Sequence, residues 1–119
     1  MAGFQGENAL PVFEIRDRFG PKTAITINSN EQGVALADSL GDRQVVLMRG
    51  HGATIVGTSV PQAVLHAVYS VLNAQMLTTT LLLGGKNLTY ISDEEGQNLA
   101  GRVRDGSRTW DYLCRLVAG

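Results

Sequence analysis

The chemistry open to this chain starts from its two histidines. His51 stands between Gly50 and Gly52, in the short Arg49–Gly52 break between the run Gln44-Val45-Val46-Leu47-Met48 and the run Ala53-Thr54-Ile55-Val56-Gly57. Glycines permit unusual backbone angles and close approach of a ligand. A neutral imidazole suits Zn²⁺ and titrates near neutrality, so His51 is a candidate metal ligand or general base. The alternative is a turn histidine bonded to backbone. Arg49, two residues earlier, could hold an anionic substrate, and is equally placed to pair with Asp38 or Asp42. His66 has Tyr69 at i+3 and Asn73 at i+7, which puts three polar groups on one helix face. They could line a pocket, form a satisfied core network or make a subunit contact.

A catalytic zinc usually takes three protein ligands and keeps one position open. Two isolated histidines do not supply that set, and no H-x-H, H-E-x-x-H or C-x-x-C occurs. Pairing His51 with His66 of another subunit would give a site across a symmetric interface. Glu14, Asp17, Asp42, Glu94 and Glu95 show no diagnostic spacing and read as solvated or capping residues. Phosphate-loop, dinucleotide and G-x-S-x-G signatures are absent, and Gly84-Gly85-Lys86 follows a helix instead of opening one. Cys114 reads as a small buried residue of an apolar tail helix.

The composition sets bounds on partners. Ten basic against eleven acidic residues leave a net charge of −1, so no bulk attraction to nucleic acid or an anionic membrane is expected. With 119 residues, 44% of them hydrophobic, the chain is a single domain or part of one, with a core of its own. A single cysteine rules out an internal disulfide and fits a cytoplasmic location. No signal peptide is visible, and the apolar stretch Ala63–Leu83 is interrupted by polar residues, as a core helix would be.

The elements that must position these residues follow from local patterns. Met1–Gly6 reads as loose, Leu10–Ile15 as weakly extended and Asp17–Pro21 as a turn. Thr23–Ile27 alternates polar and apolar, which predicts a half-buried strand. Ser29-x-x-Gln32, Ser59-x-x-Gln62 and Ser92-x-x-Glu95 have the form of capping boxes, each predicting a helix start. The first helix should close at Gly41. The second, with Pro61 in its first turn, should run to about Leu83 and stop at Gly84-Gly85. Its apolar side is Leu65, Val68, Leu72, Gln75 or Met76 and Thr79, widened by Val64, Val71 and Leu82. Val45–Met48 reads as a strand buried on both faces and Ala53–Gly57 as the next strand. Leu88–Ile91 is a short extended piece. Gly101 and Gly106 weaken the last helix, while Trp110, Leu113, Leu116 and Val117 form a docking stripe. The whole is a layered α/β chain.

The stretch Gly41-Asp42-Arg43-Gln44-Val45-Val46-Leu47-Met48-Arg49-Gly50-His51-Gly52, the strand after it and the helix at Pro61 resemble the class II aldolase/adducin family. Pro11–Asp17 and the helix from Glu31 to Leu40 share the resemblance, which covers about Phe4 to Tyr112. The wording around Leu47–Gly52 is similar to a subgroup of decarboxylases of hydroxy-carboxy-muconic semialdehyde or related aromatic acids.

The resemblance implies a three-layer αβα fold around a mostly antiparallel sheet. It also implies a divalent metal, commonly Zn²⁺, that polarises a carbonyl and stabilises an enediolate during C–C cleavage of a small-molecule substrate. Three histidines bind the metal in the family, and the third falls on His51. The other two, a His-x-His pair, and an acid belong to a preceding half. The chain resembles the C-terminal half only, so residues 1–119 form a single partial domain, and His66 matches neither missing ligand. A complete site then needs a complementary N-terminal half chain. Missing strands expose sheet edges, which adds to the family's tendency to form homo-oligomers, often tetramers. The alternative is a non-enzymatic, adducin-like oligomerisation or interaction module.

Overall fold

The computed structural model describes residues 10–84, 88–102 and 107–119. Met1–Gly6, Gly85 and Gly106, singled out above, lie outside them. The chain falls into two compact units, Leu10–Ile55 and the residues from Val56 onward.

The first unit holds β1 (Val12–Phe13), α1 (Ile15–Phe19), α2 (Asn30–Leu40), β2 (Val45–Met48) and β3 (Gly52–Ile55). The strands form one sheet in the order β1-β2-β3. β1 runs parallel to β2, with Val12 opposite Leu47 and Phe13 opposite Met48. β2 runs antiparallel to β3, from Val45 opposite Ile55 to Met48 opposite Gly52. Among the described residues the sheet is therefore mixed, with one parallel and one antiparallel strand pair where a mostly antiparallel sheet was expected. The reason lies in the connections. Two helices carry the chain from β1 to β2, as a parallel pair requires, while β2 and β3 are joined by a three-residue turn.

The core of this unit is Phe13, Ile15, Ala35 and Val46, with Phe19, Ile27, Leu36 and Leu40 packed against it. Val45 and Val46 point to opposite faces of β2 and are both fully buried, whereas Leu47 is 39% exposed. Burial on both faces thus holds for the first half of the strand only. Ser29 caps α2 by accepting from the Gln32 amide at 3.3 Å. The Gln32 side chain reaches one residue further back than a simple capping box, to the Asn28 amide at 2.9 Å. Gly41 ends the helix at φ 55°, its amide bonded to the Ala37 carbonyl.

Two expectations fail here. Thr23–Ile27 is a run of bends, not a strand. Alternation gives a segment two faces but no ladder partner, and among the described residues no strand lies beside it. Asp17–Pro21 is not simply a turn, because α1 occupies Ile15–Phe19. Glu14 caps α1 through its own carboxylate, and Ile15 and Phe19 give it an i, i+4 apolar side.

The second unit holds α3 (Val60–Gly84), α4 (Asp93–Arg102) and α5 (Ser107–Ala118). Ser59 accepts from the Gln62 amide at 3.3 Å, and Gln62 reaches back to the Thr58 amide. Ser92 and Glu95 make the reciprocal pair, at 3.2 and 2.8 Å. α3 ends in Gly84 at φ 144°. Leu65 and His66 are buried on α3, while Val71, Leu72, Met76 and Leu82 are exposed, so the expected apolar side is covered only near the helix start. The hydroxyls of Thr78, Thr79 and Thr80 bond back to the carbonyls of Ala74, Gln75 and Met76. Leu88–Ile91 joins no strand. α5 packs on α3. Trp110 and Leu113 are half-buried, but Leu116 and Val117 are exposed, so only half of the docking stripe is used. Cys114 is exposed rather than buried, since no residue of α5 is fully covered. No helix of the described residues is long and apolar enough to cross a membrane.

Gly57 is required by space. A Cβ there would lie 2.6 Å from the Ala63 backbone nitrogen and 3.0 Å from its Cα, in the first turn of α3. Backbone cannot swing aside as a side chain can. Gly57→Ala is therefore expected to lower stability by about 1–3 kcal/mol, the range for overpacking. Urea unfolding of the two proteins checks it, and equal midpoints would contradict it.

Candidate functional site

The His51 turn follows from β2 and β3. Met48 and Gly52 are the last registered pair of the hairpin, and Arg49, Gly50 and His51 connect them. The His51 amide bonds to the Met48 carbonyl at 3.0 Å and closes the turn. Gly50 has φ 68° and Gly52 φ 151°, angles that a side chain at either position would resist. The glycines around His51 thus serve the turn, and they leave its imidazole exposed. Thr54 reaches back to the Met48 sulfur at 3.2 Å, tying the hairpin strands together.

Arg49 pairs with neither Asp38 nor Asp42. Its Nε is bound to the Glu14 carboxylate. Asp38 takes Arg18 instead, at 3.1 Å. Glu14 also accepts from the Arg16 amide at 3.0 Å, from Arg16 Nε at 3.0 Å and from Arg16 Nη2 at 2.8 Å. One carboxylate thus serves two guanidiniums and one helix start. Sequence reasoning read Glu14 as solvated or capping and missed its second role. Its partner lies 35 positions away, and only the parallel register of β1 on β2 brings them together.

These bonds hold the Glu14 carboxyl down to about 2 from its ordinary 4.5. The Arg16 guanidinium hydrogen bonds are the largest cause. Partial desolvation opposes them, and the Arg16 amide and Arg49 add to the lowering. A carboxyl depressed on folding stabilises the fold above its unfolded value and loses that contribution as the pH falls through the folded one. The stability gap between the wild type and Glu14→Gln is therefore expected to be full at neutral pH. It should shrink from about 4.5 downward and be gone only below about 2. Thermal melts of both proteins across that range check it, and a gap that widens on acidification would contradict it.

His66 and its two helix neighbours part company. His66 is 5% exposed, and its Nδ1 lies 2.9 Å from the Val56 carbonyl oxygen. A carbonyl only accepts, so the proton sits on Nδ1. Tyr69 and Asn73 instead line a groove of about 590 Å³ on α3, beside Leu72, Met76 and Thr79. His66 is not among the residues that line it.

A metal requires several donors at one point. Among the described residues no group of three or more His, Cys, Asp and Glu side chains could hold one. His51 is thus a single exposed donor, and these residues do not by themselves fit the divalent metal that the family resemblance implies.

Two curated proteins are similar to the chain. A decarboxylase, tropJ, of Talaromyces stipitatus is 38% identical over 93 residues, covering 70% of this chain and 35% of that protein. A 3,4-dihydroxyphthalate decarboxylase of Rhodococcus jostii is 37% identical over 78 residues, covering 66% of this chain and 32% of that protein. The chain thus spans about a third of the length of the curated relatives it matches. The Class II Aldolase and Adducin N-terminal domain matches residues 4–78, well over half of the sequence. That match takes in the β1 strand, both small helices and the hairpin that carries His51, and the chain belongs to the class II aldolase and adducin family.

Proposed function

We propose that this chain is the C-terminal portion of a class II aldolase-like carbon–carbon lyase of the decarboxylase kind. The observation that carries the reading is its similarity to two decarboxylases, at 38% and 37% identity. The substrate is a small carbonyl-bearing or aromatic acid. Breaking the bond to its carboxylate leaves an electron pair on carbon, and a site for that reaction must supply positive charge or donors where the pair collects. From this chain come His51, as one metal ligand, and Arg49. Arg49 has N–H donors beyond the Nε engaged by Glu14, and its side chain is 39% exposed, so it holds an anionic group of the substrate. The remaining metal ligands and the acid come from residues outside this chain. The completed fold is the three-layer αβα arrangement, assembled as a homo-oligomer. The open edges of the small sheet and exposed apolar residues such as Leu82, Leu83 and Val117 support that association.

The adducin-like alternative is an oligomerisation module without catalysis, in which the open sheet edges and exposed apolar residues serve association alone. An assay separates the two. The natural protein that carries these residues is offered 3,4-dihydroxyphthalate or a related catechol acid, and released CO₂ is measured. Release that depends on His51 supports the lyase. No release from any acid of that class, with the assembly intact, supports the module.

A further inference from the structure

We propose that Glu14 is the positioning residue for the His51 turn: by holding the Arg49 guanidinium, its carboxylate locks β1 in register on β2 where β2 enters that turn. Its bearing on catalysis rests on the lyase reading above, whereas the positioning is a property of the Leu10–Ile55 unit alone.

The need for a lock comes from the length of β1. It has two residues, held by the Leu47 amide on the Pro11 carbonyl at 2.9 Å and the Arg49 amide on the Phe13 carbonyl at 3.2 Å. A pair this short specifies its register weakly, and a slip of one residue would turn Phe13 out of the core. Phe13 and Met48 are the last registered partners. Glu14 and Arg49 are the next residue on each strand, so their ion pair continues the ladder through side chains.

Glu14 is well suited to that task because it is itself held. Arg16 grips the carboxylate through its backbone amide and its guanidinium, so Arg49 meets an acceptor fixed on the first turn of α1. The Glu14 side chain is only 17% exposed. From Arg49 the chain has just Gly50 before His51, whose amide returns to Met48. The place of the imidazole therefore follows from where Arg49 is pinned. A planar guanidinium can serve an oriented carboxylate in this way, and a lysine ammonium is a poor substitute.

Amide hydrogen exchange by NMR on the full 119-residue chain tests this, comparing the wild type with Glu14→Gln, Arg49→Lys and the double variant. Glutamine keeps a side-chain oxygen for the Arg16 amide, so it spares the α1 cap while removing the charge that holds Arg49. The Arg49 and His51 amides are expected to exchange at least about tenfold faster in either single variant, and no faster in the double. The Gly20 and Gly41 amides, which close α1 and α2, should accelerate clearly less, since they feel only the general loss of stability. Unchanged rates at Arg49 and His51 would overturn the proposal. So would an equal acceleration at Gly20 and Gly41, which would leave Glu14 with no effect particular to the His51 turn. Exchange needs no substrate, so failure of the lyase reading would leave this result standing.

Discussion

Replacing His51 by alanine is expected to reduce CO₂ release at least about a hundredfold in the natural protein that carries these residues, while leaving its fold intact. Partners one shell away from a metal already cost roughly ten- to a hundredfold when lost, so a ligand itself should cost no less. The fold has little to lose at this position. The imidazole is exposed, and the bond that closes the turn uses the backbone amide, which alanine keeps. Among the described residues only glycines have a positive φ, so His51 does not, and alanine enters the turn without strain. The stability change should stay within about 0.5 kcal/mol, as for surface substitutions that touch nothing. A CO₂ assay paired with a thermal melt reads both quantities. A large drop in melting temperature would make His51 a structural residue, and full activity in the variant would remove it from the site.

Alanine at Phe13 is the counterpart, with a large cost to folding. Phe13 is 4% exposed and lies in the cluster with Ile15, Ala35 and Val46. Large-to-small changes of buried aromatics cost about 3–5 kcal/mol, from lost transfer energy and from the cavity left behind. The Leu10–Ile55 unit is small, and small units bury a smaller share of their surface. Set against a typical total stability of about 5–15 kcal/mol, such a loss is enough to leave this unit largely unfolded. The β1 backbone bonds survive the substitution, so the effect reports on packing alone. Urea unfolding followed by exchange of the Val46 amide measures it. A midpoint close to wild type would show that the unit is held by something other than this cluster.

What could be read from the sequence was what depends on neighbours in the chain. Ser29, Ser59 and Ser92 each open a helix, because a hydroxyl and an amide three residues apart meet without help from the rest of the fold. Gly41 ends α2 for a similarly local reason. The His51 turn was visible as glycines between two apolar runs. What could not be read needed distant partners. Thr23–Ile27 has the alternation of a strand and, among the described residues, no strand to pair with. Arg49 had two plausible acids nearby in sequence and found Glu14, because strand pairing decides which side chains become neighbours. α1 was hidden by its brevity, although Glu14 and the Ile15–Phe19 spacing were its signals. Of the proposed site, only one candidate donor, His51, was legible.

The central claim is that His51 binds a metal whose other ligands lie outside these 119 residues. Native mass spectrometry of the natural protein that carries them, as wild type and as His51→Ala, tests it most directly. The expected result is a divalent metal on each active unit of the wild type and its loss in the variant, with the subunit composition unchanged. Equal metal loading in both proteins, or an intact wild-type assembly that stays metal-free with Zn²⁺ supplied, would contradict it.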